Sequence, residues 1–350
     1  MFFKIYNETG TCGRNVGDDF GPHRPWNHFA TRTSRNVSDA VADAQQPQKP
    51  QHPQQEQPTK AADFSALNLK SMSISDAVQE CWKVDHNRLK PDIDYVLNVQ
   101  KGKKPWWPED KAVDPLFTRV NANVWKKPTF AAFVALLDNY QSNTGQAESM
   151  GDKERAEIDY FLDAVMETQP MQLCHAYCHA QQPENIPSDK AAFKKLLFRV
   201  WFELYRRERG GSLDSSGFEH VFVGEIRDDK ISGFHNWIQF CIEEKKGTVD
   251  YRGYIKPKSK TNADTDSNDH VLTLQFHWKG VEKQIGSIFI GVSPEWEMSI
   301  YTICFLCGGE KNKLDLRTGS DIFEIEIVCH KMHRDRIGTT YPYVLSHHNS

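Results

Sequence analysis

The spacing of apolar residues changes at Gly211, and this change constrains the fold more than any other feature of the chain. Before Gly211, two segments carry clean helical stripes. The stripes are Ile158, Phe161, Leu162, Val165 and Met166, and then Phe193, Leu196, Leu197, Val200, Trp201, Leu204 and Tyr205. After Gly211, apolar and polar residues alternate, which predicts strands at 218–227, 271–279, 283–291 and 321–330.

Two further helices are predicted among these strands, at 234–246 and 294–306. The second has Ser293 as its cap and Pro294 at its first position. The sequence therefore predicts an α+β fold: a helix-rich N-terminal lobe, followed by a C-terminal lobe of antiparallel sheets with packed helices.

Composition sets the domain boundaries. Residues 1–60 end in QQPQKPQHPQQEQP, which is too poor in apolar surface to offset chain entropy, so we predict a disordered Pro/Gln-rich tail. Residues 61–346 are predicted to fold, as a helical lobe (61–210) and an α+β lobe (211–346). Within the helical lobe, Ser75 is the predicted cap of the first helix, and Gly210 and Gly211 are the predicted end of the last.

Two histidines lie in the segment GFEHVFVGEIRDDKISGFHNW, residues 217–237. His220 falls in an alternating run and is predicted to lie on a strand. His235 is predicted in the first turn of a helix, where the helix dipole lowers the pKa of an imidazole and favours a general base. We assign His235 as base and His220 as acid, although the sequence does not separate the two roles firmly. A structural histidine explains either one alone, but it explains the pair poorly.

Several separated motifs recur in one order, and together they resemble the EndoU family of uridylate-specific endoribonucleases, which shares its catalytic fold with a nidoviral endoribonuclease. The motifs are FEHVFVGE (218–225), SGFHNW (232–237), KQIGSIFIGVSPEWE (283–297) and TTYP (339–342). The resemblance implies cleavage of single-stranded, U-rich RNA 3′ of uridines. Its products would be 2′,3′-cyclic phosphate and 5′-hydroxyl ends.

The resemblance also implies roles for six further residues. Lys283 matches the catalytic lysine, with Lys279 as its competitor. Lys283 and Ser287 are predicted to share one strand face, about 13 Å apart. The remaining substrate-binding candidates are Ser287, Tyr341, Thr340, Glu219 and Glu225. Under strict alternation, both glutamates are predicted to point away from His220.

Mn²⁺ or Ca²⁺ is the activator that the resemblance implies, with Glu219 and Glu225 as weak candidate ligands. Direct metal catalysis is not expected, because the histidine pair and the lysine already supply every chemical role. Cys174, His175, Cys178 and His179 could in principle bind a metal, but packing is the favoured interpretation. The eight cysteines are expected to be reduced.

With a net charge of −4, the chain as a whole does not attract nucleic acid, so an RNA site must be a local basic cleft. Candidate contributors are Arg206, Arg207, Arg209, Lys256, Lys258 and Lys260. We expect a soluble, intracellular monomer that binds neither DNA nor membranes, since no leader or apolar span is visible. Two rival hypotheses are a catalytically weak RNA-binding protein on the same fold and an interaction scaffold acting through the tail.

Overall fold

A computed structural model of the chain describes residues 62–208, 210–256, 265–319, 321–333 and 335–349. The predicted tail and most of the loop from Lys256 to His270 lie outside these ranges. Among the described residues, no helix is both long enough and apolar enough to cross a bilayer.

In the part of the chain that the structure describes, five α-helices precede Gly211, and two of them carry the predicted apolar stripes. They are α1 (Ile74–Lys83), α2 (Pro128–Leu136), α3 (Asp152–Met166), α4 (Gln169–Gln181) and α5 (Lys190–Trp201). Two boundaries differ from the prediction. Ser73 rather than Ser75 caps α1, accepting a hydrogen bond from the Asp76 N–H. Helix α5 ends at Trp201, well before the glycine pair at 210 and 211.

Short strands accompany these helices and extend into the second half of the chain. They are β1 (Tyr95–Leu97), β2 (Gly102–Lys103) and β3 (Phe117–Val120), followed by β4 (Glu225–Arg227) and β5 (Lys230–Ser232). β1 pairs antiparallel with β3, and β4 with β5. The predicted strand at 218–227 is therefore wrong for most of its length, since only its last three residues are extended.

Two larger sheets and two helices build the C-terminal lobe. The strands are β6 (Val249–Ile255), β7 (Val271–Trp278), β8 (Val281–Phe289), β9 (Lys311–Thr318), β10 (Asp321–Met332) and β11 (Arg336–Asn349). Their orders are β2-β6-β7-β8 and β11-β10-β9, and all pairs are antiparallel except the short β2–β6 pair. The helices are α6 (Trp237–Lys245) and α7 (Pro294–Cys307). The predicted α+β class with antiparallel sheets is confirmed.

One buried apolar cluster runs through both halves of the described chain. Helix α7 lies in its middle, buried on all sides and capped by Ser293, which accepts from the Trp296 N–H at 3.1 Å as predicted. The Trp201 ring of α5 stacks on Phe222 at 5.1 Å, which ties the helical lobe to the segment carrying His220. The core thus fixes that segment against β8 and β11, where the predicted site residues lie.

Candidate active site

His220 lies in a single π-helical turn, Glu219–Val223, rather than on a strand. Phe218, Val221 and Phe222 are all buried in the core, and their i, i+3, i+4 spacing suits a helical turn. The turn closes at Gly224, whose N–H donates to the Glu219 carbonyl at 2.8 Å and whose φ of +94° favours glycine. π-helical turns are rare in proteins, and those that occur are often found at functional sites.

This turn brings His220 onto Glu225, which corrects the prediction that Glu225 points away from it. His220 Nδ1 lies 2.7 Å from Glu225 Oε2, so the Nδ1–H donates to the carboxylate. Ser215 donates to the second carboxylate oxygen, and Arg207 Nε lies 3.2 Å from Oε2. Burial lowers the pKa of His220, and the charge of Glu225 partly opposes that shift. The other ring nitrogen of His220, Nε2, takes no part in these contacts and is left to act in the site.

His235 precedes α6 by two residues, so it does not lie in the first helical turn as predicted. Asn236 is the cap, accepting from the Gln239 N–H at 3.0 Å. Gly233 and Phe234 both adopt left-handed φ angles, +63° and +62°. This bend lets the Phe234 N–H donate to the His220 carbonyl at 3.0 Å and the His235 N–H to the Val221 carbonyl at 2.7 Å. The two histidine segments are therefore joined backbone to backbone.

The ring of His235 is held on two sides. Nδ1 donates to the Ser287 carbonyl at 3.1 Å, and the ring stacks on Tyr341 with centroids 4.8 Å apart. The pKa of His235 falls well below its usual value, first because of burial and then because of the charges of Lys283 and His220. The predicted direction is right, but His235 lies before the helix, and burial is the leading cause of the shift.

Lys283 reaches the same place from β8. Its Nζ donates to the Gly233 carbonyl at 2.9 Å and lies 3.4 Å from the Ile231 carbonyl. Burial lowers its pKa to about 8. The competitor Lys279 instead bonds Ser142 from an exposed turn. The structure thus brings together the three residues predicted to be catalytic, His220, His235 and Lys283, and we refer to this predicted set as the catalytic trio below.

Ser287 and Tyr341 border the trio. Ser287 Oγ lies 3.0 Å from Thr273 Oγ1 on β7. The β7–β8 register shifts between Leu274 and Phe276, so that Lys283 pairs with Phe276 and Ser287 with Thr273. Positions 273 and 276 are three apart, so their side chains lie on opposite faces of β7. Their partners Ser287 and Lys283 therefore also lie on opposite faces, and the prediction that these two residues share one face is wrong.

Two other predicted contacts lie in the interior. The Thr340 side chain is fully buried, with Oγ1 3.3 Å from Cys329 Sγ, so the hydroxyl does not face the site. Glu219 is also buried, and burial together with the charges of Glu148 and Glu225 raises its pKa well above the usual range. An enclosed Glu219 is a poor direct contact for RNA.

The two glutamates do not fit a hard cation. Glu219 is enclosed in the core, where burial and neighbouring carboxylates raise its pKa well above the usual range, and both oxygens of Glu225 already accept hydrogen bonds. The other candidate set also has structural partners: His175 bonds the Pro187 carbonyl, His179 bonds the Ile186 carbonyl, and Cys174 and Cys178 are buried. Within the described ranges, no group of three or more His, Cys, Asp or Glu residues is arranged to hold a metal.

The predicted basic residues have different fates. Arg207 is committed to Glu225 and the Gly338 carbonyl. Arg206 and Lys256 are exposed, whereas Arg209, Lys258 and Lys260 lie outside the described residues. The role of Arg207 and Glu225 in holding His220 was missed. The spacing of five residues between His220 and Glu225 carries that signal only once the turn is recognised as π-helical.

Comparison with known proteins places this arrangement among endoribonucleases. The sequence model of the family described as Endoribonuclease XendoU matches residues 73–342. The chain is 44% identical to Uridylate-specific endoribonuclease B of Danio rerio over 281 residues, 79% of this chain and 97% of the relative. It is 42% identical to Poly(U)-specific endoribonuclease-A of Xenopus laevis, covering 79% and 95%. The solved structure of XendoU, a snoRNA processing endoribonuclease, matches with a TM-score of 0.68 and 40% identity, covering 79% and 98%.

Proposed function

The chain belongs to the XendoU family of uridylate-specific endoribonucleases, and from this premise we propose that it cleaves single-stranded RNA 3′ of uridines by attack of the 2′-hydroxyl. The products are a 2′,3′-cyclic phosphate and a 5′-hydroxyl. Such a reaction needs a base for the 2′-hydroxyl, an acid for the departing 5′-oxygen and a cation for the phosphoryl oxygens. The observation that supports the proposal most is the convergence of the catalytic trio.

His235 is the proposed base. Its Nδ1–H is used by the Ser287 carbonyl, which fixes the tautomer and leaves Nε2 without a proton, ready to accept one. A pKa well below the usual value keeps the ring neutral at physiological pH. Both features suit proton removal from the 2′-hydroxyl.

His220 is the proposed acid. Glu225 is the only described carboxylate bonded to either imidazole of the trio, and its charge favours the protonated ring. The carboxylate also orients His220, so that the Nε2–H points away from Glu225. Protonated His220 then donates to the leaving 5′-oxygen.

Lys283 is the proposed cation for the phosphate. Its ammonium donates hydrogen bonds to two backbone carbonyls and forms no ion pair with any carboxylate of the described ranges. Its positive charge is therefore available to a phosphate, and it is present below a pKa of about 8. All three groups come from one chain, so we propose that a monomer suffices.

Uridine selection is assigned to Ser287, with Tyr341 packing on the nucleotide. Stacking tolerates any base, so the choice of base requires hydrogen bonds, which the Ser287 hydroxyl can make. Mn²⁺ or Ca²⁺ is assigned no part in the chemical step, because the trio supplies each role and Glu219 and Glu225 do not fit such an ion.

The test of this function uses an RNA with a single uridine, incubated with the full chain in the presence and absence of EDTA. We expect cleavage 3′ of the uridine with a cyclic phosphate end, and no detectable cleavage when that uridine alone is 2′-deoxy. A substrate whose neighbouring nucleotide is 2′-deoxy is the matched control and should be cut normally. Cleavage of the deoxyuridine substrate would point to an activated water and contradict the mechanism.

Replacing Glu225 with Gln tests its role as the positioning residue of His220. The lost charge lowers the pKa of His220 further, so less of the acid is protonated at neutral pH. We expect kcat/KM to fall between about 10- and 100-fold, with the falling limb of the pH–rate profile moved to lower pH. Glu225→Asp, which keeps the charge, should retain the native limb position. A reduced rate with an unmoved limb in the Gln variant would mean that Glu225 acts only structurally.

A further inference from the structure

Two consecutive tryptophans stand on the surface between β2 and β3. Trp106 is 71% exposed and Trp107 is 39% exposed. The ammonium of Lys104 lies over both indoles, 5.5 Å and 5.7 Å from the ring centroids. An exposed indole contributes little of the hydrophobic stabilisation that it would give if buried. A pair of exposed indoles therefore indicates a binding surface.

The segment that carries the indoles is firmly attached. The buried Lys103 ammonium donates to the Glu109 carbonyl and to Gln275 Oε1. Gln275 Nε2 in turn donates to the Pro105 carbonyl at 2.9 Å. The rings are therefore presented by a braced turn on β7, at a fixed distance from the strand that bears Thr273.

A cavity of about 240 Å³ lies between this turn and the part of β7 that contacts Ser287. Pro105 lines one part of it, and Thr273, Ile285 and Tyr343 line another. Thr273 is bonded to Ser287, and Tyr343 follows Tyr341 by two positions along β11. The side chains of Ile285 and Tyr343 are exposed apolar walls. The cavity therefore has the residue before Trp106 on its lining at one part and the hydrogen-bond partner of Ser287 at another.

The charges along this surface suit a polyanion. Lys104 and the exposed Lys256 form no ion pair within the described ranges, whereas the nearby Lys111 and Arg252 are paired with acids. Asp269 also lines the cavity, but burial raises its pKa to about 8, which keeps most of it uncharged at neutral pH. A phosphate backbone therefore meets two lysines without carboxylate partners here, and the exposed Asp266 beside Asp269 is the opposing charge.

We propose that Trp106 and Trp107 form a stacking platform for bases of single-stranded RNA upstream, on the 5′ side, of the cleaved uridine. The proposal rests on the function proposed above. The scissile phosphate belongs at the catalytic trio, on the 3′ side of the uridine. Ser287 lies between the trio and the cavity, so a nucleotide in the cavity connects through the 5′-oxygen of the uridine. Lys104 pairs with the phosphate between stacked bases.

The test compares RNA substrates that have one cleavable uridine and are extended by four nucleotides either upstream or downstream. For the full chain, we expect upstream extension to raise kcat/KM about tenfold or more, since stacking contributes about 1–3 kcal/mol per base. Downstream extension should add less. In Trp106→Ala, the ratio of kcat/KM for the upstream-extended to the unextended substrate should fall toward one, and Trp106→Phe should restore part of it.

Tyr160→Ala is the matched control, because Tyr160 is an exposed aromatic on α3 and should leave that ratio unchanged. An equal gain from upstream extension in the native chain and in Trp106→Ala would overturn the platform and leave the indoles to a protein partner. The native chain also provides a test that needs no variant. If upstream extension does not raise its kcat/KM, the platform is overturned. Failure to cut the unextended substrate would instead count against the proposed function.

Discussion

Replacing His235 with Ala is expected to lower kcat/KM about 10³-fold at neutral pH, because a positioned general base contributes about 10² to 10⁴ in rate. The ring is the only imidazole of the trio whose Nδ1–H is held by a backbone carbonyl, that of Ser287. Its removal leaves His220 as the remaining imidazole of the trio, and the mechanism assigns that imidazole to the leaving 5′-oxygen. Single-turnover cleavage of a one-uridine RNA with excess protein measures the effect.

His175→Ala is a close control for this variant. His175 also bonds a backbone carbonyl, that of Pro187 at 2.7 Å, and also stacks on an aromatic ring, that of Phe193 at 4.1 Å. It lies on α4, away from the trio. We expect His175→Ala to reduce stability but to retain turnover per folded molecule.

A second readout separates lost chemistry from lost packing. If His235 acts as a base, added imidazole should restore part of the activity of His235→Ala, with a dependence on the neutral form of imidazole. Equal losses in the His235 and His175 variants, without rescue in either, would show that His235 only packs against Tyr341.

Elements with long, clear apolar patterns could be predicted, whereas β6 and β11, of which β11 is the longest of the described strands, were not among the predicted strands. Helices α3 and α5 carry complete apolar stripes, and Ser293 with Pro294 marks the start of α7. Strand β9 was missed although its residues alternate strictly between buried and exposed. Its apolar positions, Leu314 and Leu316, are too few to stand out from the polar residues around them.

Short segments could not be predicted, because a few residues satisfy two periods at once. Phe218, His220 and Phe222 alternate as in a strand, while Phe218, Val221 and Phe222 have helical spacing. Packing of Phe218 on Phe202 and of Phe222 on Trp201 selects the helical turn. That choice places Glu225 beside His220, a contact invisible to a reading based on alternation.

The site residues themselves were predictable by type, but their surroundings were not. His220, His235 and Lys283 converge as expected from the motifs. The low pKa of His235 comes from tertiary burial and neighbouring charges, which no local pattern encodes. Asparagine is a preferred N-cap residue, so Asn236 carries a local signal for the start of α6.

Gly233 is the position where a single methyl group should do most damage. A Cβ there would lie 1.6 Å from the His220 carbonyl oxygen and 2.6 Å from its carbonyl carbon, at a φ of +63°. Neither atom can move freely, since the same carbonyl accepts from the Phe234 N–H and the next one, that of Val221, accepts from the His235 N–H. Relief of the clash must therefore separate the two histidine segments.

We accordingly expect Gly233→Ala to lower the free energy of unfolding by more than about 4 kcal/mol and to leave no measurable cleavage. Gly247→Ala is the matched control, because Gly247 has a similar φ of +74° but nothing within 4 Å of its Cβ position. Gly247→Ala should lower the free energy of unfolding by only about 1–2 kcal/mol, the cost of a left-handed non-glycine residue, and should retain activity. Urea unfolding and RNA cleavage of both variants measure the difference. Equal stability losses and native activity in both would mean that the Gly233 bend does not hold the trio together.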